Sequence, residues 1–208
     1  MENMKLYYAP GACSIGIHVL LEEIGKPYET QRLNLQAGEQ YKPEFTSINP
    51  KSKVPTLIRD DGSVLTEFPA IAVWLARTNA AANLIPNDPE SEARALEALD
   101  YVVATMHMQG FSRIFRPGNF TPNAADEENV KKRGREIFTK GLDLMNKALE
   151  GHDYVVGRFS IADAALFYVE YWAADRAGIP LPPNCAKHFE RMKARPSVQR
   201  VLQQEGLA

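Results

Sequence analysis

The sequence predicts a small α/β domain followed by an all-helical domain. Over the first eighty residues, short apolar runs alternate with helical patterns, as in an α/β unit that contains at least one crossover connection. From residue 88 onward, the apolar residues recur at helical spacing. The stretch 80–87 breaks both patterns with alanines, asparagines and a proline. We therefore predict domains at 1–79 and 88–208, joined by a linker at 80–87.

In the first domain, the pattern predicts a strand at about 5–8 and a helix at about 14–24. Gly25 follows the last apolar residue of that helix and is a typical stop signal. Further strands are expected at about 28–33, 54–58 and 64–65, with a turn at 60–63. Another helix begins near Thr66. Because it is apolar on nearly every side, we expect it to be buried on both faces.

In the second domain, Asp88 and Pro89 are suited to the N-cap and the first turn of a helix. Long helices are predicted from there to about residue 116 and again over about 123–149. Ser160 and Asp163 have the spacing of a capping box, and a nearly continuous apolar run follows them. This run predicts the core helix of the second domain.

Composition excludes several classes of function. A net charge of -2 argues against nucleic acid as a partner. No segment has 18 uninterrupted apolar residues, and the first residues lack the pattern of a signal peptide, so we expect a cytoplasmic protein with no membrane partner. Cys13 and Cys185 lie far apart, and the four histidines are scattered, so we expect free thiols and no metal site.

The segment 5–14 carries the clearest chemical signal. A short strand ends in a sharp turn, and Cys13 then falls where a helix begins. The unsatisfied N–H groups and the dipole at a helix N-terminus favour a thiolate, which predicts a thiol or hydroxyl site. The alternative is a small, buried and inert cysteine.

Taken in order along the chain, these motifs resemble the cytosolic glutathione transferases, and the resemblance covers essentially the whole sequence. The strand–turn–helix with its cysteine is one of them, and the opening of the chain and its ending are most similar to the bacterial beta class. The motifs are Met4–Ser14, Val54-Pro55, Thr66-Glu67, His107, Ser160-x-x-Asp163 and Glu205-Gly206-Leu207.

The resemblance implies a thioredoxin-like N-terminal domain that binds glutathione as co-substrate and a helical C-terminal domain that holds a small hydrophobic electrophile. It also implies a homodimer. The activity would be glutathione conjugation, or thiol–disulfide exchange or reductive dehalogenation, with monothiol transferase or peroxidase side activity. The alternative is a non-catalytic protein of the same fold that binds ligands or other proteins.

The resemblance also implies roles for individual residues. Cys13 would face the glutathione sulfur, and Ser14, Tyr8 or His107 would stabilise the thiolate. The alternatives are a buried inert thiol for Cys13, a plain N-cap for Ser14, core packing for Tyr8 and a structural role for His107. A cis Val54–Pro55 bond would present Val54 to the backbone of glutathione, and Glu67 would accept from its ammonium group. The implied catalytic positions are Cys13, Ser14, Tyr8 and His107, and the implied glutathione-binding positions are Cys13, Lys53, Val54, Pro55, Glu67, Phe68, Thr105 and His107.

Three positions depart from the pattern of the resembled family. Phe68 stands where serine or glycine is usual, so only its backbone N–H would serve a carboxylate. The loop 36–40 lacks the usual basic residue, so one carboxylate partner is either missing or replaced by Lys53. Met108 stands where lysine often follows the histidine. Four apolar residues near His107 would line a substrate pocket or form plain core: Met106, Met108, Phe111 and Phe115.

Overall fold

The computed structural model describes residues 4–208, which form two compact units. The first unit comprises the residues up to 85 together with 192–208, and the second comprises 86–191. The boundary at 85 lies within the predicted linker. The last stretch, 192–208, packs with the first unit, whereas the sequence pattern placed it in the helical domain. The domain limits of 1–79 and 88–208 stay a prediction.

A four-stranded mixed sheet forms the centre of the first unit. Its strands are β1 (Met4–Tyr8), β2 (Tyr28–Arg32), β3 (Thr56–Ile58) and β4 (Val64–Thr66), in the order β2-β1-β3-β4. β1 runs parallel to β2 and antiparallel to β3, and β3 is antiparallel to β4. Alternate residues of β1 are buried. The thioredoxin-like arrangement that the resemblance implied is therefore present.

The helices α1 (Ser14–Ile24) and the short α2 (Pro43–Thr46) lie in the connections between these strands, and α3 (Phe68–Thr78) follows the last strand. The predicted bounds of α1 are confirmed, and it ends at Gly25, whose φ of 71° suits glycine and whose N–H bonds the carbonyl of Leu21. α3 differs from expectation. Its residues Val73 and Trp74 are only half-buried, so one face of this helix is partly open in the single chain.

The second unit consists of helices, and two of them pack very closely. α4 (Pro89–Asp100) continues through a π-helical stretch, Tyr101–Phe111, into α5 (Ser112–Phe115), and α6 (Glu127–Ala148) packs along this element. Gly141 makes the approach possible, because a Cβ atom there would collide with the side chain of Met106. None of the helices within residues 4–208 is long and apolar enough to cross a membrane.

The predicted capping box is confirmed at the start of α7 (Ile161–Tyr171), which is entirely buried. Asp163 accepts from the backbone N–H of Ser160 at 2.8 Å and from that of Val155 at 2.9 Å. A π-helical turn, Trp172–Ala177, follows it. The last helices of the chain are α8 (Pro183–Ala194) and α9 (Pro196–Glu205).

A buried carboxylate near the end of α9 connects two parts of the first unit. Oε2 of Glu205 accepts from the backbone N–H of Gly11 at 2.8 Å, and Oε1 lies 2.9 Å from Nδ1 of His18 in α1. The side chains of Glu205 and His18 are both fully buried. Because Gly11 precedes Cys13 by two residues, this carboxylate holds the turn that leads into α1.

A second buried cluster lies inside the helical unit. Nδ1 of His188 in α8 is 2.8 Å from Glu170, and Nε2 is 3.3 Å from Asp163. All three side chains are fully buried. Burial alone would lower the pKa of His188, but the two carboxylates raise it to about 9. Burial raises the pKa of Glu170 to about 7, although His188 acts in the opposite direction.

The His188 cluster predicts that the protein loses stability as the solution becomes alkaline. In the folded state both groups hold protons more tightly than in the unfolded chain, so the stabilisation from His188 is complete below about pH 6.5 and is lost as the pH rises through 9. The stabilisation from Glu170 is lost in the same way, as the pH rises from about 4.5 to 7. We expect Tm, measured by circular dichroism, to fall from pH 6.5 to 9.5, and to fall less in Glu170→Gln. Exposed Glu136→Gln is the control, and equal slopes in all three proteins would contradict the prediction.

The Glu205 pair predicts a large loss of stability when the carboxylate is removed. Glu205→Ala leaves a buried imidazole and a buried N–H without their acceptor, so we expect a loss of about 3–5 kcal/mol in the free energy of unfolding. Urea denaturation measures this loss. Arg200→Met is the matched control, because it removes a half-exposed arginine of the same helix from Glu22, which keeps Tyr28 and Gln204 as donors, and it is expected to change stability by less than about 1 kcal/mol. Similar losses in the two variants would refute the assignment.

Candidate functional site

Cys13 lies where the sequence predicts it, at the N-cap of α1. Its side chain caps no backbone N–H of the helix. Instead, the thiol donates a hydrogen bond to the backbone carbonyl of Val54, with Sγ and O 3.4 Å apart. The end of β1 and the start of β3 are far apart in sequence, and this bond brings them together at the thiol.

The acidity of Cys13 is opposite to the prediction. The backbone N–H groups of Cys13 and Ser14 do lower its pKa, as expected at a helix N-terminus, and so does the ammonium group of Lys53. The loss of hydration around the sulfur is larger and raises the pKa to about 12. The free protein therefore holds Cys13 as a neutral thiol, which is a hydrogen-bond donor rather than a nucleophile.

Ser14 has a structural position. Its hydroxyl is fully buried, donates to the carbonyl of Ala9 at 3.3 Å and accepts from the N–H of the same residue at 3.2 Å. These two bonds close the turn between β1 and α1. The hydroxyl proton is therefore already engaged, and Ser14 could donate to a sulfur only by exchanging its bond with Ala9.

Tyr8 is buried at the end of β1, and its ring lies 5.4 Å from that of His18. Burial raises the pKa of its phenol, and the charge of Glu205 raises it further. A phenolate is thus disfavoured here. This environment supports the packing alternative for Tyr8 more than direct activation of a thiol.

The Val54–Pro55 peptide bond is cis, as the resemblance implied. The turn before it is organised by Asn49, which is almost fully buried. The Asn49 amide donates to the carbonyl of Lys53 at 2.9 Å and to the hydroxyl of Thr56 at 2.8 Å, and its oxygen accepts from the N–H of Lys51 at 3.0 Å. One neutral side chain thereby fixes the backbone of the whole turn.

Glu67 is the N-cap of α3 and has a positive φ of 73°, which is uncommon for a residue with a side chain. Its carboxylate pairs with the ammonium group of Lys51 at 2.8 Å and acts on Cys13 by raising its pKa. Phe68, the first residue of α3, is buried. The ring therefore packs into the unit and leaves the charged groups of Lys51 and Glu67 at the surface.

The structure thus gathers several of the predicted residues in the first unit. Val54 bonds Cys13, and the charges of Lys53 and Glu67 both act on its thiol. Thr105 and His107 lie in the second unit, on the π-helical stretch. No group of three or more His, Cys, Asp or Glu side chains in residues 4–208 could hold a metal ion.

His107 belongs to an aromatic cluster of the second unit. Its Nδ1 is 3.3 Å from the hydroxyl of Tyr168, and its ring meets that of Trp172 edge to face at 4.7 Å. Phe111 stacks between Trp172 and Phe115, at 4.4 and 4.7 Å. The predicted apolar group divides, because Met106 and Phe111 are core, whereas Met108 and Phe115 are exposed.

The helical unit also contains a cavity of about 470 Å³ between α4, α6 and the segment around Val155. Its walls are mainly apolar, and Arg94, Glu90 and Glu97 stand at its edge as ion pairs. None of the predicted glutathione-binding residues lines it.

Sequence reasoning assigned no role to three residues that shape the site: Asn49, Lys51 and Glu205. An asparagine followed by proline favours a turn, and this signal alone could have indicated Asn49. Lys51 and Glu205 act through partners that lie 16 and 187 or more residues away, so no local pattern marks them.

Comparison with known proteins agrees with this arrangement. Two family profiles match the chain, described as glutathione S-transferase N-terminal domain over residues 11–78 and glutathione S-transferase C-terminal domain over residues 128–203. Glutathione S-transferase GstA of Escherichia coli O157:H7 is 37% identical over 98% of this chain and 100% of its own length.

Solved structures are similar over nearly the full length. A glutathione transferase homolog from Sulfitobacter with bound glutathione has a TM-score of 0.90 at 30% identity and covers 100% of both chains. The beta class enzyme of Sphingomonas chungbukensis has a TM-score of 0.82 at 30% identity, covering 98% of this chain and 100% of its own. A homolog from Lodderomyces elongisporus with two GSH per subunit has a TM-score of 0.83 at 26% identity, covering 98% and 99%. With two matching family domains, a full-length relative above 30% identity and a beta class neighbour, this chain belongs to the glutathione S-transferase family.

Proposed function

We propose that this protein is a glutathione transferase that binds glutathione in its first unit and joins it to electrophiles. The observation that carries the proposal is the convergence on Cys13 of the Val54 carbonyl and of two opposite charges, Lys53 and Glu67. Glutathione is an extended peptide with a thiol in its middle and charged groups at both ends. A thiol donor, a backbone acceptor and separate charges match those features.

Binding would begin at Val54. The backbone N–H of the glutathione cysteine donates to the Val54 carbonyl, as in an added strand, and takes the acceptor that Cys13 uses in the free protein. The Cys13 thiol is then released to donate to the glutathione sulfur. Its high pKa keeps the proton on Cys13 at neutral pH, so Cys13 acts as a donor.

A donor aimed at the sulfur stabilises the glutathione thiolate, and the thiol proton passes to solvent. The thiolate then attacks an electrophilic carbon, a carbon–sulfur bond forms, and the leaving group departs with its bonding electron pair. Activation therefore depends on the order of events, because Cys13 becomes available to the sulfur only when glutathione occupies Val54.

Thiol–disulfide exchange is a second candidate, and one observation supports it: a structural neighbour of this chain holds two GSH per subunit. Cys13 as thiolate would attack the glutathione sulfur of a mixed disulfide, release the other thiol and become glutathionylated. A second glutathione would then displace Cys13 and form oxidised glutathione. The raised pKa of Cys13 disfavours the first step, so conjugation is the leading proposal.

We propose that Thr105 and His107 contribute to glutathione binding and that apolar side chains near them accept the electrophile. His107 is held in orientation by Tyr168 and Trp172, which suits a residue that must present one ring nitrogen to a ligand. The exposed side chains of Met108 and Phe115 offer a surface for a small hydrophobic substrate.

We further propose a homodimer in the cytoplasm. Val73 and Trp74 on α3 remain half-buried in the single chain, and Val64 on β4 is 40% exposed. Apolar side chains that stay open in one unit are suited to contact with a second copy. Cys13 and Cys185 are both free thiols, which fits a reducing compartment.

The Cys13 assignment predicts different losses for two substitutions. Cys13→Ala removes the donor, and we expect conjugation of 1-chloro-2,4-dinitrobenzene to fall about tenfold in kcat/KM, since a hydrogen bond to a charged sulfur is lost. The apparent pKa of bound glutathione, taken from the pH profile, should rise in that variant. Cys13→Ser keeps a donor and should stay within about threefold of the unmodified protein, but it should lose any thiol exchange.

Cys185→Ala is the control, because that thiol lies in the second unit and takes no part in the proposed site. If Cys13→Ala leaves both conjugation and the pH profile unchanged, the role of Cys13 is wrong. A protein that is not retained on immobilised glutathione, and ignores millimolar glutathione in solution, would instead be the non-catalytic alternative.

The dimer proposal predicts a particle of twice the 23.2 kDa chain mass in light scattering coupled to size exclusion. Trp74→Asp should shift the particle towards the monomer, because a carboxylate would be desolvated at the contact. Phe120→Ser, which changes an exposed aromatic of the second unit, is the control. A monomeric unmodified protein at micromolar concentration would overturn the proposal.

A further inference from the structure

A charged pair, Lys51 and Glu67, lies next to the candidate site, since the charge of Glu67 acts on Cys13. Lys51 donates to Oε1 of Glu67 at 2.8 Å and to the hydroxyl of Thr66 at 2.9 Å. Both side chains of the pair are about half-exposed, at 52% and 57%. An exposed pair of this kind adds little to stability, so its position beside the candidate site needs another explanation.

Two features show that the pair is held in place from both sides. The backbone of Lys51 is fixed by Asn49, whose buried amide ties the turn to β3. Ser52 beyond it has a positive φ of 56°, and Glu67 has one of 73°. Residues in such conformations persist when the surrounding structure requires them, and they occur often where ligands bind.

The start of α3 explains why a cation is needed there. Phe68 has no side-chain hydroxyl, and Pro69 has no backbone N–H, so two groups that would donate to a carboxylate are absent from the first turn. The loop 36–40 has no lysine or arginine. Lys51 supplies the positive charge that bonds the side chain of Glu67.

We propose that Lys51 binds the α-carboxylate of the γ-glutamyl residue of glutathione, while Glu67 accepts from its α-ammonium group. This rests on the proposed function. The γ-glutamyl end carries an ammonium and a carboxylate on one carbon, and Lys51 and Glu67 present the two complementary charges side by side. In the free protein the two side chains neutralise each other, and binding replaces their one ion pair by two.

Lys51 is thereby a specificity residue for the γ-glutamyl end. A peptide without the α-carboxylate leaves Lys51 bonded to Glu67. The ammonium group of that peptide must then compete with Lys51 for the carboxylate of Glu67. A peptide without the α-amine cannot engage Glu67. The half-exposed position of the pair permits this exchange, because neither charge must leave water without a partner at any point.

Calorimetric titration with three peptides tests the proposal: glutathione, 4-aminobutanoyl-Cys-Gly, which lacks the α-carboxylate, and glutaryl-Cys-Gly, which lacks the α-amine. The unmodified protein is expected to bind glutathione about tenfold more tightly than either analogue. Lys51→Met should lose about tenfold in affinity for glutathione and show no further loss when the α-carboxylate is missing. It should still discriminate against the peptide that lacks the α-amine.

Matched variants separate this role from a general effect of charge or folding. Lys51→Arg should retain most of the affinity, and Lys26→Met, which removes an exposed lysine after α1, should retain all of it. Tm should be nearly unchanged in Lys51→Met, since the pair it breaks is exposed.

Three outcomes decide the question. If Lys51→Met binds glutathione within twofold of the unmodified protein, Lys51 does not contact the ligand. If it loses affinity equally for glutathione and for the peptide without the α-carboxylate, its effect does not pass through that carboxylate, and the proposal fails while glutathione binding stands. If the unmodified protein binds no glutathione, the proposed function falls and this inference falls with it.

Discussion

The position of the Cys13 thiol depends on a carboxylate at the other end of the chain. Glu205 accepts from Gly11 and pairs with His18, and both contacts are buried. A carboxylate that has left water needs every one of its partners, because an incomplete set costs several kcal/mol. The turn between β1 and α1 therefore has one position, and the backbone of Cys13 is fixed with it. α9 belongs to the first unit for the same reason: the site-bearing turn is incomplete without it.

The opposite side of the site is fixed by a neutral group. Asn49 satisfies its own amide with Lys53 and Thr56 and sets the backbone from which Lys51 and Val54 act. Because the Asn49 amide is uncharged, its burial avoids the free-energy cost of removing a charge from water, which the carboxylate of Glu205 incurs. The charges of this turn and of Glu67 are exposed. Buried groups determine geometry here, and exposed charges, which can exchange partners, face the solution from which a ligand arrives.

Features set by neighbouring residues could be predicted, and features set by distant ones could not. Apolar spacing and Gly25 sufficed for α1, and Ser160 with Asp163 sufficed for the capping box. The acidity of Cys13 was predicted with the wrong sign, since a helix terminus contributes about 1 kcal/mol and the desolvation of a sulfur contributes more. The engagement of Ser14 with Ala9 was equally hidden, because its hydroxyl bonds a residue outside the helix.

Cys13 and Lys51 share one physical property: each is bonded in the free protein to a group that suits the ligand. The thiol of Cys13 occupies the Val54 carbonyl, and the ammonium group of Lys51 occupies Glu67. In the proposed complex, a peptide N–H of the ligand takes the Val54 carbonyl from the weakly donating thiol, and the ligand's ammonium group takes Glu67 from Lys51, which gains the ligand's carboxylate in return. The displaced donors then turn to the sulfur and to the carboxylate of the same ligand. Under this proposal, recognition of the γ-glutamyl end and activation of the thiol follow from one exchange of hydrogen bonds, in which each displaced donor gains a new acceptor on the ligand.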